Sequence, residues 1–194
     1  MLEKIIEGCE KLFPKYGIKS LSMDDIAREL GMSKKTIYQY VTDKNDLVTK
    51  TFSTFLDCNK HKCSIFIKEA KNPIEEILLM TREISQHLKG INSSVFYDLK
   101  KYHPDAWQMF NNFTNSFVYE IIRANMIKGM EQGYYRSDLN PDIVSKIYIS
   151  MVELVTDHEK FSNLDYDFGQ VYSEIVRYHF HAICTSKGFK YFNA

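Results

Sequence analysis

A chain of 194 residues has room for one domain or two small ones and for a real apolar core, so it needs no covalent staple. Its 25 basic and 25 acidic side chains cancel, which excludes the overall positive field of a protein that grips nucleic acid with its whole surface; any DNA footprint has to be local. The four cysteines (Cys9, Cys58, Cys63, Cys184) are scattered and no apolar run approaches a signal h-region or a membrane span, so the expected setting is a reducing cytoplasm, away from any membrane.

Helical spacing recurs from end to end, while strand-like alternation bounded by turn residues is hard to find, so the fold class is all-α with about nine helices. The first helix starts near Leu2, carries Leu2, Ile5, Ile6, Cys9, Leu12 and Phe13 on one side and stops near Tyr16-Gly17. Pro14 deletes a backbone donor and disfavours helical geometry at Phe13, so the last turn is expected to kink or tighten. Ser22, with Asp25 three residues on, caps a second helix from Met23 to Leu30, which Gly31 ends. Ser33 caps a third, Lys34 to Tyr40. Thr42 or Asp43 caps a long fourth helix, with Leu47, Val48, Phe52, Phe55, Leu56, Ile65 and Phe66 apolar, until Asn72-Pro73 breaks it. Three capped segments this close together leave room only for tight turns between short helices.

Beyond Pro73 the periodic stretches are Ile74 to Lys89, a short piece around Val95 to Lys101, and a long helix opened by Pro104 at its first turn. A helix from Pro141 carries Ile143, Val144, Ile147, Tyr148, Met151, Val152 and Val155 on a face, and one starting near Asp165 carries Phe168, Val171, Tyr172, Ile175, Val176, His179, Ala182 and Ile183. There is no internal repeat, low-complexity tract or flexible linker, so a boundary is expected inside the fourth helix, acting as a rigid joint.

Residues 23 to 42 meet the requirements of a helix-turn-helix. Ala27 is small where two helices cross, Gly31 takes a turn that favours positive φ, and Ile26, Leu30, Met32 and Ile37 supply the apolar contacts that fix the crossing. Between Arg28 and Lys50 the basic residues Arg28, Lys34, Lys35, Lys44 and Lys50 outnumber the acidic Glu29, Asp43 and Asp46, a modest local tilt.

Over about its first fifty residues the chain resembles the tetracycline-repressor (TetR/AcrR-like) family of transcriptional regulators. The resemblance rests on Leu12-Phe13 and Gly17, on Met23-Asp24-Asp25-Ile26-Ala27, on Gly31-Met32-Ser33, on Thr36-Ile37-Tyr38 and on Asp43-Lys44-Asn45-Asp46-Leu47, in the family's order and spacing. The chain departs from the family in having Val41 where phenylalanine is common and Pro14 inside the first helix. It also lacks the basic arm that some members carry before that helix, so no minor-groove contact is expected from its N-terminus.

The resemblance implies a DNA-binding domain of three helices over residues 1–47 and a helical effector-binding and dimerisation domain over 48–194. It places the Ser33 to Tyr40 helix in the major groove, with Lys34, Lys35 and Thr36 nearest the bases and Gln39 further along, in reach of an adenine edge. Tyr38 and Lys44 resemble the family's phosphate-contacting tyrosine and lysine, and Ser22 and Ser33 offer hydroxyls and helix N-terminal amides to phosphate. Tyr40 is expected to pack in the core.

For the C-terminal region the resemblance implies a ligand pocket and a dimer interface formed by the last two long helices. Candidate pocket residues are Phe96, Tyr97, Trp107, Phe110, Phe113, Phe117, Tyr148 and Met151, with Ile121, Met126 and Phe161 near them in the pattern. Cys58, His61 and Cys63 do not converge on one helix face, so no metal is expected, and no cofactor. Asp157, His158 and Glu159 read as a solvated helix end, and the absence of a phosphate loop, nucleophile elbow or zinc-hydrolase signature argues against an enzyme. The expected function is a dimeric regulator bound to an inverted repeat in double-stranded DNA, a repressor released by a small hydrophobic or aromatic effector. The alternative is a DNA-binding dimer without effector, whose C-terminal domain only dimerises or recruits a partner.

Overall fold

The computed structural model describes residues 1–157, 160 and 166–192. The described residues are helical throughout, without a strand; one isolated antiparallel bridge joins Tyr135 and Cys184. The chain divides into two compact units: Met1–Lys60 with Gly90–Asn111, and His61–Lys89 with everything from Asn112 onward.

The first unit begins with α1 (Leu2–Tyr16), which continues through Pro14. The Pro14 carbonyl accepts a hydrogen bond from the Asn92 amide (2.7 Å), and Gly17, at φ 82°, donates its N–H back to Phe13. Next come α2 (Met23–Glu29), α3 (Lys34–Ile37) and α4 (Lys44–Glu69), whose residues up to Lys60 belong to this unit. The third helix is shorter than the Lys34 to Tyr40 span its pattern predicts. After Ile37 the chain tightens, with Gln39 N bonding Thr36 O (3.3 Å) and Tyr40 N bonding Ile37 O (2.9 Å).

Helices α6 (Ser94–Tyr102) and α7 (Pro104–Asn112) complete the unit. Their Val95, Leu99 and Ala106 enter one core with Ile5, Cys9 and Phe13 of α1, Ile26 of α2 and Leu47 of α4. Segment 90–111 therefore packs as part of the N-terminal unit, although nearly all the sequence signals for that unit lie before residue 48.

The second unit holds the end of α4, α5 (Pro73–Leu88), α8 (Tyr119–Glu131), α9 (Pro141–Glu153), α10 (Phe168–Ile183) and α11 (Ser186–Phe192). The long helix expected from Pro104 is not uniform. It passes through a π-helical stretch, Phe113–Val118, between α7 and α8. A 3₁₀ turn, Leu154–Thr156, follows α9. Asn72 and Asn140 cap α5 and α9 over a proline at the first turn, and Asp167 caps α10 with Gln170 in a reciprocal box. Helix α11 extends the helical pattern beyond Ile183, where the sequence periodicity stops. At the centre of this unit the buried Tyr135 hydroxyl donates to Asn125 Oδ1 (2.8 Å) and approaches the Pro73 carbonyl (3.2 Å), to which Asn125 Nδ2 also donates (2.9 Å). Tyr135 needs the bare face of Gly129, where a Cβ would lie 2.0 Å from its ring. His158, Glu159, Phe161 and Asp165, which the sequence reading singled out, lie outside the described residues.

Candidate nucleic-acid interface

The helix-turn-helix is built by its caps. Ser22 Oγ accepts the Asp25 N–H (3.2 Å) while Asp25 Oδ2 accepts the Ser22 N–H (3.0 Å), closing a reciprocal box. Hydrogen bonds from the Ser22 hydroxyl and amide, then from Arg28, hold the Asp25 carboxyl down to about 2. The turn runs through Gly31 at φ 63°, in the left-handed region where glycine carries no steric cost. Met32 N bonds back to Ala27 O (2.9 Å) across it. Ser33 Oγ then accepts the Thr36 N–H (3.0 Å) and shares a 2.8 Å hydrogen bond with the Thr36 hydroxyl. Ile26, Ala27 and Ile37 are buried, so α3 rests on α2 through its inner face.

That bracing turns the other side of α3 to solvent. Ser22, Ser33, Lys34, Lys35, Tyr38 and Gln39 are exposed and Thr36 is half-buried. Lys34 Nζ lies 3.1 Å from Asp24 Oδ2, tying the first turn of α3 to the first turn of α2. Lys35 has no ion-pair partner among the described residues. Tyr40 does not pack in the core as expected; it is 37% exposed, because the tightened turn after Ile37 swings it outward, and its carbonyl accepts from Lys50 Nζ (3.0 Å).

Lys44 points inward. Its ammonium donates to the carbonyls of Ile18 (2.6 Å) and Leu21 in the α1–α2 turn. It is half-buried, and desolvation lowers its pKa against the pull of Asp98 and Asp25. The same turn is held from α6, where the buried Asp98 carboxylate accepts the N–H groups of Ile18 (3.1 Å) and Lys19 (2.9 Å). Next to it, His103 Nδ1 meets Asn45 Oδ1 at 2.8 Å. Sequence reasoning missed Asp98. The signal was its place three residues after Val95 and next to Leu99, an acid on an apolar helix face that needs a partner.

The candidate effector residues fall in two groups. In the first unit Phe110 has ring centroids within 5.4 Å of Trp107, 6.3 Å of Phe96 and 6.2 Å of Phe52, while Tyr97 is exposed. In the second unit Phe113 stacks on Phe117 (5.3 Å). Tyr148 is buried, its hydroxyl 3.0 Å from that of Tyr172 and its ring 4.7 Å from His179. Met151 lies elsewhere, in an open groove on α9 with Ile143, Lys146, Ile147, Ser150 and Leu154. Cys58 is exposed and Cys63 half-buried, and among the described residues no three His, Cys, Asp or Glu side chains converge as metal ligands. No described helix is long and apolar enough to cross a membrane.

Residues 5–50 match the sequence model of the bacterial regulatory proteins of the tetR family. Over 188 residues, 96% of this chain and 97% of the relative, the protein is 29% identical to an uncharacterised HTH-type transcriptional regulator, YvaF, of Bacillus subtilis strain 168. Its fold superposes on a TetR-family transcriptional regulator from Agrobacterium tumefaciens with a TM-score of 0.77, at 15% identity, covering 95% of this chain and 97% of that one. It also superposes on the transcriptional regulator FadR from Bacillus subtilis, solved in complex with stearoyl-CoA, with a TM-score of 0.70, at 16% identity, covering 92% and 97%. The capped α2–α3 pair lies inside the segment that matches the tetR-family model, and the relative that is similar over nearly the whole chain is an HTH-type transcriptional regulator.

Proposed function

We propose that the protein acts as a homodimer that reads an inverted repeat in double-stranded DNA, represses transcription while bound, and is released by a small hydrophobic or aromatic effector. The observation that carries the DNA arm is the first turn of α3, with Lys34 and Lys35 exposed, Thr36 half-buried beside them and Ile37 buried against α2. In this reading Lys35 reaches guanine acceptors or phosphate, Lys34 exchanges Asp24 for the duplex, and Thr36 and Gln39 meet base edges. Tyr38, Ser22 and Ser33 contact the backbone, and the remaining donor of the Lys44 ammonium does the same. Residues 1–47 supply this grip, and 48–194 supply dimerisation and effector response, with segment 90–111 packed on the DNA-binding helices.

A single short helix spans too few base pairs for useful specificity, so two copies about one helical turn apart are needed. The outer face of α9 supports a twofold contact through Ile143 and Ile147, 57% and 52% exposed, as does the exposed Tyr178 on α10. The effector arm is supported by the aromatic groups around Phe110 and Tyr148 and by the likeness to a regulator solved with stearoyl-CoA.

Selecting bound sequences from a random duplex pool tests the first part. An enriched inverted repeat occupied by two chains is expected; no enrichment, or enrichment without symmetry, overturns it.

One observation favours a second reading, in which the C-terminal helices only dimerise or recruit a partner: the groove on α9 is open and lies on an outer helix face, and of the candidate pocket residues it takes in only Met151. Stearoyl-CoA and free fatty acids as probes separate the two. A raised melting temperature with release of the selected duplex supports the effector, and release by none of a broad hydrophobic panel supports the second reading.

A further inference from the structure

One surface of the first unit carries lysines on tyrosine rings. Lys19 Nζ donates to the Tyr102 hydroxyl at 2.7 Å and sits 4.4 Å from that ring's centre. Lys101 Nζ donates to the Tyr97 hydroxyl at 2.6 Å and lies 5.5 Å from the Tyr102 ring, and Lys100 Nζ lies 5.9 Å from Trp107. Other lysines of this electrically neutral protein, among them Lys34, Lys50, Lys60, Lys62 and Lys128, are matched by a carboxylate. Lys19, Lys100 and Lys101 have no such partner among the described residues. The acid closest in sequence, Asp98, is turned inward onto the Ile18 and Lys19 amides.

The difference matters physically. A carboxylate cancels an ammonium, whereas a tyrosine ring orients it and leaves its charge available to a third party. The patch is therefore preorganised and still positive, and its natural occupant is a polyanion.

Its position selects which one. Lys19 is five residues before Asp24, so at full extension their Cα atoms are at most about 18 Å apart, and Asp24 is bonded to Lys34 at the start of α3. That separation is well inside one turn of B-form DNA, about 34 Å. We propose that Lys19, Lys100 and Lys101 form an auxiliary grip on the phosphate backbone flanking each half-site, held in register by Asp98 beneath and by Tyr97 and Tyr102 beside them. This grip rests on the DNA-binding reading above.

The test uses the full-length protein and the duplex recovered by selection, in one form trimmed to the inverted repeat and in another extended by a helical turn at each end. The wild type is expected to bind the extended form more tightly. Changing all three residues (Lys19→Gln, Lys100→Gln, Lys101→Gln) abolishes that gain, lowers affinity for the extended duplex roughly tenfold or more, and makes the log-affinity against log-salt slope shallower by about 2 to 3. Substituting Arg82→Gln, Lys187→Gln and Lys190→Gln together, which removes the same charge from the second unit, leaves both unchanged. Replacing the same three lysines by arginine retains the slope, which separates charge from any effect on folding. The proposal is overturned if the glutamine variant keeps the wild-type slope and flank gain, or if the second-unit variant loses as much. Failure to select any operator overturns the DNA-binding reading itself.

Discussion

The turn between α1 and α2 is clamped from two sides, by the Lys44 ammonium on its carbonyls and the Asp98 carboxylate on its amides. Each partner compensates the other's burial, so removing one leaves desolvated polar groups behind. Asp98→Ala is expected to cost about 2–4 kcal/mol of unfolding free energy, with Asp98→Asn, which keeps one acceptor, costing less; urea titration measures both, and a loss under about 0.5 kcal/mol for the alanine variant would refute the clamp. A second residue acts through protons. His179 is buried against Tyr148, and desolvation lowers its pKa from 6.5 to about 4. Above pH 6.5 it is neutral in both states and contributes no pH dependence. Between pH 6.5 and 4 the unfolded chain takes up a proton that the folded chain refuses, so stability falls as the pH drops, by up to roughly 3 kcal/mol. Comparing denaturation midpoints at pH 7 and pH 5 should show a drop in the wild type that is reduced in His179→Gln; equal slopes would mean that another group carries the effect.

Two glycines show how differently helical elements depend on one missing methyl group. At Gly31 a Cβ meets open space, so alanine incurs only the left-handed backbone penalty, about 1 kcal/mol. At Gly129 it would stand 2.0 Å from the Tyr135 ring and push that hydroxyl off Asn125 and Pro73, which should cost about 3 kcal/mol. Thermal melting of the two variants is expected to rank them in that order, and the reverse order would contradict the packing around Tyr135. The sequence made the start of α2 legible through its Ser22 cap, and the starts of α5 and α9 through Pro73 and Pro141; the Asn72 and Asn140 caps ahead of those prolines emerged only from the structure. It did not mark the end of α3, where backbone bonds tighten without any breaker residue, nor the π-helical stretch at Phe113–Val118, which leaves the apolar spacing helix-like. At the candidate site it pointed to Lys34, Lys35 and Tyr38 as surface residues. It could not orient Lys44, whose partners are main-chain carbonyls, or pair Asp98 with amides 80 residues away.

At the scale of the whole molecule, the face of α9 constrains how the protein can exist in solution. Ile143 and Ile147 are one helical turn apart and more than half exposed, with Met151 and Leu154 continuing the stripe along the same groove. Such a contiguous apolar line on a monomer is an association site or an aggregation hazard. In a twofold pair each copy covers the other's stripe with identical residues. Ile147→Glu would place a carboxylate in that apolar contact, where two symmetry-related charges face each other without compensation. Sedimentation at micromolar concentration is expected to show a dimer for the wild type and a monomer for the variant, with the melting of the helical secondary structure otherwise preserved. DNA binding should follow: a duplex carrying a single half-site binds both proteins equally, while the full inverted repeat loses at least a hundredfold in affinity for the variant, because the second recognition helix no longer arrives with the first. A wild type that sediments as a monomer, or a variant that stays dimeric, would move the interface off α9 and leave the stripe to be covered by some other partner.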